Sequence, residues 1–401
     1  MKKRAIRNLD VENKRVLVRV DFNVPLDESL NITDDKRIRA ALPTINYLLE
    51  RRAKIILMSH LGRPKGEVVE DLRLKPVAKR LEELLGQKVK FLDNCIGPEV
   101  KSAVRTMQSG DIILLENLRF HKEETKNDPQ FSRQLANLGE VFVQDAFGVV
   151  HRAHASTVGV TQFLPSVAGF LLEKEISFFS QILAEPQRPF VAILGGAKVS
   201  DKIGVIENLL PRVDNILIGG GMAYTFLKAE GLDIGSSRSE QGKLGIASKL
   251  LEEGGEKIIL PFDHLIADKV DASAHLKTVE KEIPAGWLGV DVGRQTIARF
   301  KQILKEARTI VWNGPLGVFE IAPFAQGTKE IAEFIGDLHC LKVIGGGDTA
   351  AAIAKFGLED RMNHISTGGG ASLEYLEGKE LPGIAALKEI AENPAISNQA
   401  R

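Results

Sequence analysis

Arginine, histidine and small polar side chains gather directly after short apolar runs in the first half of this 401-residue chain. Asp21-Phe-Asn23 follows Val16–Val20, and Ser59-His60-Leu-Gly62-Arg63 follows Lys54–Met58. Glu116-Asn-Leu-Arg119 follows Asp111–Leu115. Asp145-Ala-Phe-Gly148, with His151-Arg152-Ala-His154 behind it, follows Val141–Val143. Arg37, in the helical-looking stretch Asp35–Leu42, is able to join them. Guanidinium groups grip carboxylate and phosphate bidentately. Arg37, Arg63, Arg119 and Arg152 with His60 therefore predict a cationic pocket for a small polyanion carrying both groups. His121 and His154 stay outside this set, because a lone histidine more often serves structure than chemistry.

The second half puts glycine and lysine in the same places. Phe190–Leu194 runs into Gly195-Gly196, and Lys198 and Lys202 follow, four apart. A helix beginning here would carry both ammonium groups on one face of its first turn. Ile218 runs into Gly219-Gly220-Gly221, and Trp312 into Asn313-Gly-Pro-Leu-Gly317-Val318-Phe-Glu320. Ile344 runs into Gly345-Gly346-Gly347-Asp348-Thr349, and Ser366 into Thr367-Gly368-Gly369-Gly370. Backbone amides exposed in such turns cradle phosphates and leave room for a flat base. One glycine turn says little, since glycine is common in turns. Repetition at five strand ends points to a nucleotide.

The scheme is not a P-loop, because no Gly-x-x-x-x-Gly-Lys-Ser/Thr occurs. Gly345-x-Gly347-x-x-Ala350 does match the dinucleotide fingerprint after a strand. That fingerprint also needs an acidic residue at the end of the next strand, where this chain has Thr367-Gly-Gly-Gly370 instead. Hydride transfer on a nicotinamide cofactor is therefore the weaker reading, and a noncatalytic polyanion-binding module is a second rival. Asp348 reads as a carboxylate facing magnesium, which takes one or two carboxylates besides phosphate oxygens and waters. Glu320, past a glycine-proline turn, is placed to accept hydrogen bonds from ribose hydroxyls.

The elements that must position these residues alternate along the whole chain. The first half offers strands at Val16–Val20, Lys54–Met58, Lys88–Leu92, Asp111–Leu115, Val141–Val143 and Thr157–Val160. The second offers Phe190–Leu194, Asn215–Ile218, Lys257–Leu260, Thr309–Trp312, Lys342–Ile344 and Asn363–Ser366. Helical patterns such as Leu74–Leu85 and Gln326–Ile335 lie between them. This alternation predicts an α/β fold of two parallel sheets, each of about six strands flanked by helices. Ligands then bind at the carboxyl ends of the strands. The break falls near Glu185-Pro-Gln-Arg-Pro189.

Lys+Arg and Asp+Glu are both 53, so bulk charge gives no hold on nucleic acid or an anionic membrane. Any basic cluster must be local and specific. The two cysteines, Cys95 and Cys340, lie far apart and outside metal-ligand spacing, as expected in a reducing compartment. No apolar run approaches the roughly 20 residues of a membrane span, and the start lacks a signal-peptide pattern. The expected location is the cytoplasm.

With these motifs assembled, the chain resembles the phosphoglycerate kinase family from Asp21 to Ser372. Val-Asp21-Phe-Asn23-Val-Pro, Ser-His60-Leu-Gly-Arg63-Pro and Glu-Asn-Leu-Arg119-Phe match its substrate half, as does Asp-Ala-Phe-Gly148 with His-Arg152-Ala-His. Gly195-Gly-Ala-Lys198-Val-Ser-Asp-Lys202, Asn313-Gly-Pro-Leu-Gly-Val-Phe-Glu320, Gly-Gly-Gly-Asp348-Thr349 and Ser-Thr-Gly368-Gly-Gly370-Ala-Ser match its nucleotide half. The resemblance implies reversible phosphoryl transfer between ATP and the carboxylate of 3-phosphoglycerate, with magnesium. It implies Asp21, Asn23, Arg37, His60, Arg63, Arg119 and Arg152 as phosphoglycerate ligands. It implies catalytic roles for Arg37, Lys198, Lys202, Gly368, Gly369 and Gly370, and Asp348 as the metal ligand. Gly195, Gly196, Gly219, Gly220, Gly293, Asn313, Val318, Glu320, Gly346, Gly347 and Thr349 would join Lys202 and Asp348 around the nucleotide.

Two Rossmann-like domains follow from the resemblance. One is a phosphoglycerate-binding domain, 1–170 with a returning segment 385–401. A hinge helix over 171–188 joins it to a nucleotide-binding domain, 189–384. Closure on that hinge and a monomeric state are further implications. Arg294 after Gly293, where the family commonly has proline, Val149-Val150 and Arg238 depart from the pattern.

Overall fold

The structure, a computed structural model, describes residues 5–387. It divides into two compact units. The first runs up to Ile176 and resumes at Glu380; the second is Ser177–Lys379. Most of the expected returning segment, 388–401, lies outside the described residues. Just ahead of that segment the chain is already tied to the first unit, where Gly383 N–H donates to the Val150 carbonyl at 2.8 Å.

The first unit is built on β1 (Arg15–Arg19), β2 (Lys54–Met58), β3 (Val89–Phe91), β4 (Ile112–Leu114), β5 (Val141–Gln144) and β6 (Ser166–Ala168). All neighbours are parallel, in the order β3-β4-β2-β1-β5-β6. Successive side chains of a strand face opposite sides, and both sides are apolar here. Val16, Val18, Ile55 and Leu57 join one core, while Leu17, Ile56, Met58 and Phe142 join the other. The expected strand at Thr157–Val160 is not formed. The His154 carbonyl accepts the N–H groups of Thr157, Val158 and Gly159, which winds that segment into a turn. The sixth strand comes after it, at Ser166–Ala168.

The helix Lys36–Glu50 continues beyond the expected Asp35–Leu42 and through Pro43. Proline removes an intrahelical hydrogen bond. The helix survives because Ile38, Ala41, Ile45 and Leu48 bury one face in the core. The helix Phe170–Ala184 leaves the first unit and enters the second, the boundary falling between Ile176 and Ser177. Its first amides are satisfied within the first unit. Phe170 N–H donates to Thr44 Oγ1 at 2.9 Å, and Leu171 and Leu172 N–H donate to Asp145 Oδ1 at 2.9 and 3.2 Å.

In the second unit β7 (Phe190–Leu194), β8 (Asn215–Ile218) and β9 (Ile258–Ile259) form half of a parallel sheet. The chain then makes β10 (Asp263–Ala267), β11 (Leu276–Glu280) and β12 (Leu288–Val292), a separate antiparallel sheet in the order β11-β10-β12. β13 (Thr309–Asn313), β14 (Leu341–Gly345) and β15 (His364–Ile365) complete the six-stranded sheet β15-β14-β13-β7-β8-β9. The two parallel sheets match expectation. The small antiparallel sheet was absent from it, because β11 is largely exposed and carries no apolar run.

No helix among the described residues is long and apolar enough to cross a membrane. Cys95 is buried and Cys340 half-buried, and both are free.

Candidate active site

In the second unit the strand ends converge on one cleft of about 460 Å³. Its lining includes Gly195, Gly196, Lys198, Lys202, Asn313, Gly346, Gly347, Asp348, Thr349, Gly369 and Gly370, all expected from sequence. Ala197, Asp201, Gly314, Leu373, Glu374, Glu377 and Lys379 line it too and were not anticipated. Gly314 was legible in the sequence, since it sits inside the Asn313–Glu320 motif.

The expected helix at Lys198 begins later, at Ile203. Lys198 is therefore an exposed loop residue, and Lys202 is a buried cap with 7% exposure. The Lys202 ammonium donates to Asn313 Oδ1. Burial pushes its pKa down to about 8, with Asp201, Asp348 and Glu377 pulling the other way. The helices Gly347–Lys355 and Gly369–Leu376 start side by side. A Cβ placed on Gly369 would stand only 3.7 Å from the Gly347 amide nitrogen. Two N-terminal ends with positive partial charge thus share one opening. Asp348 lies exposed in the first turn of the first of these helices.

Thr349 Oγ1 accepts the Gly314 amide at 2.6 Å, tying the first turn of the helix Gly347–Lys355 to the turn after β13. Gly220 backs the Gly195-Gly196 turn. Its φ is +64°, its N–H donates to the Leu316 carbonyl at 2.9 Å, and a Cβ there would meet the Gly196 nitrogen at 2.7 Å. Gly219, Gly220, Gly293, Val318, Glu320 and Gly368 are not in the cleft lining. Gly368 caps the helix Gly369–Leu376. Gly293 caps the helix Arg294–Lys305 beside Asp263, Val318 packs on the antiparallel sheet, and Glu320 is exposed.

The first unit gathers its charged residues at the ends of β1, β2, β4 and β5. Arg37 Nη1 donates to Asp21 Oδ2 at 3.0 Å and to the Asn23 carbonyl at 3.3 Å. Asn23 Oδ1 accepts the Gly62 amide at 2.8 Å, and Arg119 Nη1 donates to the Gly62 carbonyl at 2.8 Å. Arg119 Nε is buried without a partner, an orphan donor that a ligand oxygen would satisfy. Burial, then Arg19, and to a lesser degree Arg63, pull the Arg119 pKa down to about 10. Among the described residues no carboxylate lies within ion-pair distance of Arg63, Arg119 or Arg152. Arg63 and Arg152 are exposed.

His60 departs from the expected cationic role. It is 3% exposed, and its pKa lies well below the ordinary 6.5. Burial is the first cause, and Arg19, Arg119 and Arg37 add to it. His60 is a neutral ring in a cationic site. Beneath it lie Arg19 and Glu124, both fully buried and neither expected from sequence. An arginine inside an apolar strand was the available signal for Arg19.

A groove of about 710 Å³ near Asp34, Arg39 and Arg80 is larger, but its arginines are already paired. Arg39 and Arg80 both bridge to Asp35 at 2.8 Å, and Arg80 also bridges to Glu83 at 2.7 Å. Among the described residues, Lys202 in the second-unit cleft and Arg63, Arg119 and Arg152 at the first unit's strand ends have no carboxylate within ion-pair distance, which leaves their charge for a ligand.

Residues 6–379 match the family model described as phosphoglycerate kinase. A phosphoglycerate kinase of Pseudothermotoga lettingae is 54% identical over 394 residues, covering 97% of this chain and 99% of the relative. One from Gloeothece citriformis is 56% identical over 400 residues, covering 97% and 100%. Among solved structures, phosphoglycerate kinase from Coxiella burnetii matches with a TM-score of 0.87 at 41% identity, covering 96% of this chain and 98% of that one. The enzyme from Pyrococcus horikoshii matches with a TM-score of 0.85 at 34% identity, covering 96% and 98%. By family model, relatives and fold together, the chain belongs to the phosphoglycerate kinase family.

Proposed function

We propose that the phosphoryl transfer of this family is carried here by two half-sites. One is the cluster Asp21, Asn23, Arg37, His60, Arg63, Arg119 and Arg152, which takes 3-phosphoglycerate. The other is the cleft of Lys198, Lys202, Asn313 and Gly346–Thr349, closed by Gly368–Gly370, which takes MgATP. Gly195, Gly196, Gly219, Gly220, Gly293, Val318 and Glu320 belong on the adenosine side of that cleft. The observation that carries the reading is the pair of helix starts at Gly347 and Gly369, opening beside the buried Lys202.

The nucleophile is the substrate carboxylate, ionised at neutral pH because its pKa is near 4. No general base is needed. The barrier is the approach of an anion to a triphosphate, so positioning and countercharge do the catalysis. Arg37, Lys198, Lys202 and the Gly368–Gly370 amides supply that charge. Among the described residues no cluster of three His, Cys, Asp or Glu is arranged to hold a metal. Asp348 alone fits magnesium that arrives on the nucleotide, since that ion binds mainly through phosphate oxygens and water.

Transfer by a direct in-line path requires a ligand-filled state in which the half-sites meet, and the connecting helix is where the chain must flex. A reduced, cytoplasmic setting suits the two free cysteines, and one chain supplies both half-sites, so a monomer suffices. The test is a spectrophotometric assay with 3-phosphoglycerate, ATP and magnesium. ATP-dependent consumption of phosphoglycerate is expected. Binding of both ligands without turnover, or turnover only with a nicotinamide cofactor, would sink the reading.

A further inference from the structure

We propose that Glu124 is a positioning residue for the phosphoglycerate half-site: through Ser156 it holds Arg19 against His60, which fixes His60 as the Nε2-protonated tautomer. The inference rests on the proposed role of His60 as a phosphoglycerate ligand.

The chain of contacts is continuous and buried. Glu124 accepts the Ser156 hydroxyl at Oε1, 2.6 Å away, and the Ser156 amide at Oε2, 3.0 Å away. The Ser156 hydroxyl has thereby spent its proton, so its oxygen is free to accept Arg19 Nε at 2.8 Å. Arg19 Nη1 donates to the Val20 carbonyl. That leaves Nη2, which lies 3.2 Å from His60 Nδ1. All of Arg19, Glu124, Ser156 and His60 are 3% exposed or less.

Chemistry then fixes the direction of the last contact. A guanidinium has only donors and keeps its proton. His60 Nδ1 must accept, so the ring's single proton sits on Nε2. A second proton on Nδ1 would set donor against donor and cation against cation. Asp21 Oδ1 is the nearest carboxylate to that nitrogen, at 3.8 Å, beyond hydrogen-bond reach. Glu124 is the anchor because it is the buried countercharge facing Arg19, with His154 Nδ1 3.7 Å from its Oε1. Burial raises the pKa of Glu124, while Arg19 and the Ser156 contacts oppose that rise. Neither Glu124 nor Ser156 has a part in the transfer itself. Their product is a histidine that offers one N–H to an anionic ligand, adds no charge, and does not titrate with the medium.

The test is ¹⁵N-histidine NMR on the ligand-free full chain, with His60 assigned by the signals lost in His60→Gln. The expected pattern is the neutral Nε2–H tautomer, unchanged across about pH 5 to 8, where an ordinary histidine changes charge. An Nδ1–H tautomer, or titration inside that window, overturns the proposal whether or not the chain turns over phosphoglycerate. In Glu124→Gln or Ser156→Ala the His60 signals should shift to a tautomer mixture. KM for phosphoglycerate should rise about tenfold, one hydrogen bond's worth, with kcat and KM for ATP little changed. Wild-type His60 signals in a folded variant overturn Glu124's role. If neither variant folds, wild-type NMR decides it: slowly exchanging Ser156 hydroxyl and Arg19 Nε–H signals, with through-space contacts from the Arg19 guanidinium to the His60 ring, are expected, and their absence overturns the coupling.

Discussion

Gly314 presses backbone to backbone on Gly195, at the ends of two adjacent strands of the second unit's parallel sheet. The Gly195 amide donates to the Asn313 carbonyl at 3.0 Å, and a Cβ on Gly314 would stand 2.9 Å from the Gly195 Cα and collide with its carbonyl oxygen. Gly314 also has a φ of +102°. Both effects forbid a side chain where the two strand ends form the floor of the cleft.

Gly314→Ala should therefore cost about 2–5 kcal/mol, combining left-handed strain of about 1–2 with overpacking of about 1–3. Gly110→Ala is the control. Its φ is +88°, with nothing within 4 Å of a Cβ, so only the strain applies. Urea unfolding of the two variants measures the difference. Equal losses would show that the Gly195 contact relaxes without cost.

Lys202 should take up a proton when a polyphosphate binds. In the free chain burial holds its pKa at about 8, below the ordinary 10.5. The folded protein therefore binds fewer protons than the unfolded chain between those values, and stability gained from this group is lost as pH falls through about 8. An anionic ligand beside the ammonium restores the charge. Calorimetry of ADP binding at a pH above 8, in buffers of different ionisation enthalpy, should show uptake of a fraction of a proton. Lys202→Arg should abolish it. Buffer-independent heats in the wild type would remove Lys202 from the phosphate site.

The pattern that was legible in the sequence is the one that repeats. Polar residues after Val16–Val20, Lys54–Met58 and Asp111–Leu115 announce a site because open α/β sheets bind ligands there. The rest depended on contacts that have no period. Arg19 sits in the otherwise apolar run Val16–Val20, and its burial depends on partners far away in sequence, among them Ser156 and, through it, Glu124, both more than 100 positions on. β10 to β12 were missed because an antiparallel sheet with one wet strand carries no long apolar run. The Thr157–Val160 misreading has a local cause: β-branched residues suit a strand, but the His154 carbonyl captured three consecutive amides first.

His154 should contribute to acid unfolding. Burial, then Arg119, Arg19 and Arg152, hold its pKa at about 4 against an ordinary 6.5. The unfolded chain thus binds the extra proton first. Stability from this group is full above about pH 6.5 and is lost as pH falls toward 4. His154→Gln cannot charge, so its Tm should fall less steeply than the wild type's over that window. Parallel slopes in a pair of thermal scans would mean that other groups set the acid limb.

Arg37 is held by one carboxylate and one carbonyl, Asp21 Oδ2 at 3.0 Å and the Asn23 oxygen at 3.3 Å, both on the same nitrogen, Nη1. This fixes the guanidinium plane and leaves its other face of donors for a ligand oxygen. A bridging arginine in phosphoryl transfer is worth roughly 10³–10⁵ in rate, so Arg37→Ala should lower kcat by a factor approaching that range. Asp21→Asn keeps an acceptor but removes the charge that orients Arg37. It should raise KM for phosphoglycerate more than it lowers kcat, since the guanidinium stays present but less fixed. Steady-state kinetics of the two variants separate binding from transfer. An Arg37→Ala variant that keeps most of the wild-type kcat would confine Arg37 to holding Asp21 and Asn23 in place.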